Sequence, residues 1–512
     1  MTSERLVEAT EYAGRNAQDS VLDFLGAARD VKRIDTHASV VFLYRERALK
    51  IKRAVRLPFL DYSSLEKRKA ACEEELKVNA VNAPELYRRV VAVTRDHDGR
   101  LEVDGRGTPI EWAVEMARFD EKQTLDCIAK AGTIEPALAA TLADTILQSH
   151  ERAPRSDGES WLASIPSIVD RNTTKFRAVS GLDAASIERL DTRSRKHLAQ
   201  INALLRRRAE HGFVRRCHGD LHLANIALVD GKPRLFDAIE FDPLIASTDV
   251  LYDLAFTLMD LVHFDNAAAA SIVFNHYLAA AADQHMDGLA VFPLFLSMRA
   301  AIRAHVLFTR SAQDDDDAAT RREATRYFDL AGRLIARGPP QMVAIGGLSG
   351  TGKSVLARGL AGMIGSPPGA VIIRSDIVRK KLFNVGEGTA LPEQAYLSAP
   401  SARVYGAMHD LARRILAQGF SIVVDASFID ERQRTALRRL AQNHNARFTG
   451  LFLTADLATR LARIEHRKND ASDATREVAL KQMAATIGSM DWHVVDASGT
   501  PDDTLRRSAA HL

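Results

Sequence analysis

Cysteine is scarce: only Cys72, Cys127 and Cys217 occur in a chain of 512 residues. Their number is odd and none stands in C-x-x-C spacing, which argues against both a disulfide framework and a structural zinc site. Reduced, buried thiols are the expectation. An excess of charge of one sign is lacking too. With 69 basic and 66 acidic residues the net charge is only +3, so no general electrostatic grip on nucleic acid or a membrane surface is indicated. Any polyanion must be gripped locally. No run reaches 18 uninterrupted apolar residues, and the stretch from Met1 to Leu22 is mixed and charged, without the apolar segment of a leader peptide. No membrane association is expected, and a cytoplasmic location is. Internal repeats are absent as well.

What remains is the composition of a globular enzyme, 46% hydrophobic and 26% charged. The length predicts roughly two to four folding units. Residues 41–52, VFLYRERALKIK, predict two short strands around the polar turn Arg45-Glu46-Arg47, and a helix carrying Glu73 to Lys77 follows. Thr133 to Arg208 has helical spacing; strands return near Arg215–Cys217, Ala227–Val229 and Arg234–Phe236; Val250 to Phe308 is helical again. This predicts a small sheet-bearing lobe followed by a large helical one. After the acidic run Asp314–Asp317, read as a solvated turn, Gly338-Pro339-Pro340 disfavours helix and marks a boundary. Beyond it MVAIGG, AVIIRSD, SIVVDAS, FTGLFLT and WHVVDAS alternate with helical segments, the signature of βαβ units and a parallel sheet. The expected domains are 1–335 and 336–512.

The sharpest motif is Gly347-Leu348-Ser349-Gly350-Thr351-Gly352-Lys353-Ser354, which fits G-x-x-x-x-G-K-[ST] between an apolar strand and a helix. Its glycines permit a tight turn whose N–H groups, with the next helix N-terminus, converge on phosphate oxygens. Lys353 is expected to neutralise the β- and γ-phosphates of ATP, and Ser354 to hold Mg2+. Asp425 ends the apolar strand Ile422-Val423-Val424 and is either a carboxylate that holds Mg2+ beside Ser354 or a helix cap. Asp376 and Arg379 stand one helical turn apart after another strand. As a pair, Asp376 would orient a substrate hydroxyl or accept its proton, and Arg379 would steady an anionic group; the bland alternative is a capping Asp with a surface Arg. Arg460, Arg463 and Arg467 share i, i+3, i+7 spacing and so one helix face, either an arginine-bearing lid or a solvated basic surface.

In the first half, His218-Gly219-Asp220-Leu221-His222-Leu223-Ala224-Asn225 reads H-G-D-x-x-x-x-N, and a strand then ends in Leu235-Phe236-Asp237. A kinase catalytic loop and metal strand have this spacing: Asp220 deprotonates the acceptor hydroxyl, while Asn225 and Asp237 hold Mg2+ from two sides. The strand Ala48–Lys52 should supply a phosphate lysine, with Lys50 preferred over Lys52, which points to the same side. Glu75 is the chosen carboxylate partner, beside Glu73 and Glu74. Asp249 and Asp253 start a helix beyond the catalytic strand, and a simple helix cap is one reading of them. Glu111 to Phe119 is where an interlobe hinge should lie.

These residues resemble known families. The HGDLHxxN loop looks like that of aminoglycoside phosphotransferases and choline-kinase-like enzymes, although Gly219 replaces the Arg of protein kinases, Ala238-Ile239 replaces Phe-Gly, and no G-x-G-x-x-G precedes the lysine strand, only Asp35 to Ser39. The second half resembles small-molecule and nucleotide P-loop kinases, including gluconate- and shikimate-kinase-like enzymes and polynucleotide 5′-kinases. The order of both motif sets resembles the bacterial family of bifunctional aminoglycoside phosphotransferase/ATP-binding proteins. The resemblance implies a bilobal α+β protein-kinase-like domain fused to an α/β P-loop kinase domain. It also implies two ATP and Mg2+ sites, each moving the γ-phosphoryl to a hydroxyl of a small molecule. For Asp249 and Asp253 it implies the other reading, a brace for the catalytic loop. Glu240 and Asp242 could lend acidity to an acceptor pocket. Two alternatives stay open: one half is a regulatory ATP-binding module, or the second half is a polynucleotide 5′-kinase. Against the latter, no aromatic platform is interleaved with basic residues. No protein partner is evident.

Overall fold

The computed structural model describes residues 18–57, 60–281, 283–313, 317–386, 388–466, 472–484 and 487–512. The chain packs as two compact units: Met1–Thr133 with Thr145–Ser167 and Leu205–Asp260, and Ile134–Asp144 with Ile168–Leu204 and Leu261–Leu512.

The first unit is built on an antiparallel sheet of six strands, β1 (Lys32–Asp35), β2 (Ser39–Leu43), β3 (Arg47–Lys52), β4 (Tyr87–Arg95), β5 (Leu101–Val103) and β6 (Thr108–Ala117), in the order β1-β2-β3-β6-β4-β5. The predicted turn at residues 45–47 joins β2 to β3, with Leu43 opposite Ala48. Alternation then sorts the side chains. Val40, Phe42, Leu49 and Ile51 pack on one face against Val21, Leu22 and Leu25. Ala48, Lys50 and Lys52 take the other face, beside helix α1 (Leu65–Asn79). Ser64 caps α1 by accepting the Lys67 N–H, and the buried stripe of the helix is polar: Arg68, Cys72, Glu75 and Asn79, spaced by four or three residues.

The expected hinge at 111–119 is mostly strand. Glu111 to Ala117 belong to β6, because Glu111 is fixed in the sheet by Arg68 Nε at 2.8 Å and Gln18 Nε2 at 2.7 Å. Only Arg118 onward leaves the strand. Helices α2 (Leu125–Ala131), α3 (Pro136–Arg152), α4 (Gly158–Arg177) and α5 (Ala184–Glu210) fill the predicted helical stretch. Two small antiparallel pairs follow: β7 (Val214–Arg216) with β10 (Ser247–Asp249), and the hairpin β8 (Ile226–Val229) to β9 (Lys232–Leu235). Asp230-Gly231 turns that hairpin with both residues at positive φ.

In the second unit, α6 (Val250–His263, from Leu261), α7 (Ala267–Ala280), α8 (Phe292–Gln313) and α9 (Ala318–Ile335) precede the parallel sheet. Residues 289–312 have the length and hydropathy of a membrane span, yet 72% of their most apolar 18-residue stretch is buried inside the protein, as in a core helix. Of the acidic run, Asp314 to Asp316 lie outside the described residues, and Asp317 caps α9 through the Ala319 N–H at 2.9 Å.

The five predicted strands all form: β11 (Gln341–Gly347), β12 (Val371–Arg374), β13 (Ile422–Asp425), β14 (Arg447–Thr454) and β15 (His493–Asp496), in the order β12-β13-β11-β14-β15. Around them stand α10 (Lys353–Ala361), α11 (Ser375–Leu382), α12 (Ser398–Ala417), α13 (Glu431–Asn443), α14 (Leu457–Glu465), α15 (Arg476–Lys481) and α16 (Pro501–Ala509).

Position 335/336 falls inside this unit, because the helices before it are built into the sheet domain. Asn275 on α7 accepts the Ile372 N–H at 2.8 Å and donates to Ala370 O at 3.0 Å, satisfying the open edge of β12. Phe420 packs against Phe274 and Phe292, under the Arg337 guanidinium 3.8 Å from its ring centre.

Candidate active sites

The first site forms where β3, α1 and the loops around β8 and β9 converge. Both lysines of β3 reach Glu75: Lys50 Nζ stands 2.8 Å from Oε1 and Lys52 Nζ 2.6 Å from Oε2. Lys50 also meets Asp237 Oδ1 at 2.5 Å, and Lys52 pairs with Glu240, which accepts a further bond from the Tyr62 hydroxyl at 3.0 Å. Lys52 is 1% exposed, so of the two it is Lys50 that lies open toward Asp237. Burial works against the ammonium of Lys50, but Asp237 and Glu75 outweigh it and hold its pKa well above the ordinary value. The reciprocal effect lowers Asp237: burial opposes its charge, and Lys50 more than compensates.

Asp220 and Asn225 meet as the spacing predicts, with Asn225 Nδ2 donating to Asp220 O at 3.0 Å and Oδ2 at 3.2 Å. The loop is held from behind. His218 bonds Phe236 O at 2.9 Å, and burial keeps its imidazole pKa below the usual value. Asp253 accepts the Gly219 N–H at 2.9 Å and contacts His150 at 3.3 Å. Gly219 has φ 83°, and a Cβ there would stand 3.1 Å from Ala246 Cα, which explains glycine where protein kinases carry Arg. Asp249 instead forms a buried ion pair with Arg208 at 2.6 and 2.8 Å and accepts the Leu251 N–H, so the brace of the loop is Asp253. Asp242, partly exposed, caps a short turn of helix through the Leu244 N–H at 2.8 Å, whereas Glu240 is buried on Lys52.

Sequence reasoning passed over three supports here. Asn79 accepts the Ala238 N–H at 2.8 Å, the Tyr87 hydroxyl accepts the Asp237 N–H at 3.0 Å, and Asp260 accepts the Leu223 N–H at 3.0 Å. The position of Asn79, four residues after Glu75 on one helix face, was the available signal. In place of a glycine-rich loop, Thr36 and Ser39 close the β1–β2 turn, Thr36 Oγ1 accepting the Ser39 N–H at 2.9 Å.

The second site opens beside β11 as a cavity of about 1070 Å³, lined by Ser349 to Ser354, Asp376, Arg379, Asp425 and Arg463 together. The loop between β11 and α10 is shaped by close approach: at φ 84° Gly350 lies so near Arg460 that a Cβ would stand 2.5 Å from Arg460 O. Ser354 Oγ donates to Asp425 Oδ2 at 2.6 Å, and Lys353 Nζ to Leu348 O at 3.1 Å. Asp376 sits deep; burial, reinforced by the nearby Asp425 carboxylate, raises its pKa above the ordinary value, with Lys353 and Arg374 opposing. Arg379 is buried, its guanidinium 4.7 Å from the Tyr396 ring centre and 2.6 Å from Ala395 O. It is therefore not a surface arginine.

The arginine row divides. Arg460 is only 3% exposed and donates to Ser349 O at 2.8 Å, so it buttresses the loop instead of forming part of a lid. Arg463 lines the cavity and donates to Gly499 O at 2.7 Å; Arg467 lies outside the described residues. Helical spacing placed the row on one face, but that face packs against the loop. Two residues of this site carried no sequence signal: Gln482, which accepts the Ser349 N–H at 2.8 Å, and Arg374, which donates to Ser354 Oγ at 3.1 Å.

Oxygen donors suit a hard divalent cation in both places: Asn225 and Asp237 in one, Ser354 and Asp425 in the other. These sites and scaffolds define a phosphotransferase that couples a kinase-like domain to a P-loop kinase-like domain. Residues 33–292 match the model of the phosphotransferase enzyme family, and the chain belongs to that family. Residues 342–488 match the model of an AAA domain. An uncharacterized protein of Mycobacterium tuberculosis is 29% identical over 491 residues, covering 93% of this chain and 94% of its own.

Among solved structures, a choline/ethanolamine kinase family protein from Mesorhizobium loti covers 62% of this chain and 94% of its own, at 14% identity and TM-score 0.40. A gluconokinase from Sinorhizobium meliloti covers 34% and 93%, at 19% identity and TM-score 0.25.

Proposed function

We propose that the chain carries two ATP- and Mg2+-dependent phosphotransfer sites, each moving the γ-phosphoryl of ATP to a hydroxyl of a small molecule. The observation that carries this reading is that each half gathers a lysine, a pair of oxygen-bearing side chains and a separate carboxylate, which we read as the phosphate lysine, the metal pair and the acceptor base. In the first half these are Lys50 with Glu75, Asn225 with Asp237, and Asp220. In the second they are Lys353, Ser354 with Asp425, and Asp376, all on one cavity.

Asp220 accepts the proton of the first acceptor hydroxyl, and Lys50, aligned by Glu75, neutralises phosphate charge. Asp376 does the former for the second acceptor, and Arg379 and Arg463 steady anionic oxygens as water is excluded. Mg2+ would be held by Asn225 and Asp237 in the first site and by Ser354 and Asp425 in the second, and would supply positive charge to offset that of the phosphates. The raised pKa of Asp376 suits a base better than a spectator carboxylate.

A screen of γ-labelled ATP against sugar, amino-sugar, nucleoside and 5′-hydroxyl oligonucleotide pools tests this, with Asp220→Ala and Lys353→Ala made separately. Each substitution is expected to abolish transfer to one set of acceptors and spare the other. Loss of both sets from either single change would refute independent sites, and transfer to oligonucleotides alone would make the second half a polynucleotide 5′-kinase.

A further inference from the structure

Arg374 and Asp425 are the last residues of the adjacent parallel strands β12 and β13 and are direct partners in their register. The sheet alone therefore sets an arginine beside the carboxylate expected to hold metal. The side chains are 10% and 5% exposed, with Arg374 Nε 3.5 Å from Asp425 Oδ2. Arg374 Nη2 also donates to Ser354 Oγ at 3.1 Å, while that hydroxyl donates to the same Asp425 oxygen at 2.6 Å. One guanidinium thus contacts both protein groups that would bind a divalent ion.

We propose that Arg374 is a positioning residue that acts as the resident cation of this site, competing with a divalent metal for Ser354 and Asp425 when no nucleotide is bound. The proposal rests on the reading of those two residues as the metal pair. A carboxylate only 4% exposed is costly to keep charged without a positive partner, and Arg374 supplies one before metal arrives. The same charge repels an incoming divalent ion, and at this depth water and salt screen the repulsion weakly. A triphosphate brings negative charge of its own and shifts the balance toward the metal. Free Mg2+ alone is then held poorly, and the pair stays correctly spaced for Mg2+ delivered with ATP.

Mn2+ binding to the full-length, nucleotide-free protein, followed by electron paramagnetic resonance, tests this. An Asp237→Asn background removes the metal position of the first site. In that background Arg374→Gln is expected to bind one Mn2+ at least about tenfold more tightly than its parent, and adding Asp425→Asn to abolish the gain. Arg374→Lys keeps the charge and should stay near the parent, which separates competition from general damage. Unchanged or weaker Mn2+ binding in Arg374→Gln, while Asp425→Asn still lowers it, would overturn the role of Arg374 alone. If Asp425→Asn changes Mn2+ binding in no background, the assignment of the metal pair fails and the proposal with it.

Discussion

Lys50 and Lys52 divide the two oxygens of one buried carboxylate, Glu75, at 2.8 and 2.6 Å. Two residues apart on β3, they share a sheet face, yet their surroundings differ: Lys50 continues to Asp237, and Lys52 ends on Glu240 beneath Tyr62.

Their substitutions should therefore part company. Lys50→Met is expected to cut first-site transfer at least about 100-fold, with a smaller fall in melting temperature than Lys52→Met, because Asp237 remains partly exposed and Glu75 keeps Lys52. Lys52→Met leaves Glu75 and Glu240 short of a buried counter-charge and should cost about 3 kcal/mol of stability. Urea unfolding beside steady-state kinetics reads both; equal loss of stability in the two variants would contradict the division.

Asp253 holds the loop that carries Asp220 through the Gly219 N–H at 2.9 Å. Asp253→Ala strips the Gly219 N–H of its acceptor and His150 of its carboxylate, so a loss of about 2 kcal/mol is expected. First-site kcat should fall while second-site transfer stays intact. Transfer assays on both acceptors distinguish this from global unfolding.

Asp376 should trade stability for activity. Its folded pKa lies above the unfolded value near 3.8. The folded state therefore binds the proton more tightly, and stability falls as pH rises through the window between the two values. Asp376→Asn removes that penalty: the protein should melt higher at neutral pH, with the gain shrinking as pH drops toward 3.8. Second-site transfer should fall at least about 100-fold. In the parent, kcat/KM of that site should decline on acidification with a limb displaced above the ordinary Asp range. A lower melting temperature at neutral pH in the variant would refute the account.

Residues 336–512 cut from the chain should behave as a damaged fold. The cut bares Phe420 and the β12 edge that Asn275 satisfies. The fragment is expected to bind a hydrophobic dye and to melt below the full chain. A monomeric, dye-silent fragment of equal stability would show that the preceding helices are dispensable to it.

Local sequence was enough for both loops and most elements. Gly347 to Ser354 and His218 to Asn225 are short enough that steric and hydrogen-bonding rules act between near neighbours, and alternating or unbroken apolar runs marked the strands. That Glu75, not Glu73 or Glu74, faces the lysines also follows from helix geometry once α1 has a core side, and Asn79 shares that stripe. Tertiary structure alone decided the rest. Arg460, Arg463 and Arg467 are equivalent by spacing, and only packing buried the first beneath Ser349. Arg374 meets Asp425 because β12 happens to lie next to β13, a neighbour relation that no local pattern encodes. The compact units divide elsewhere than at 335/336 for the same reason: prolines report where a helix stops, whereas compactness depends on which apolar faces distant segments bury against each other.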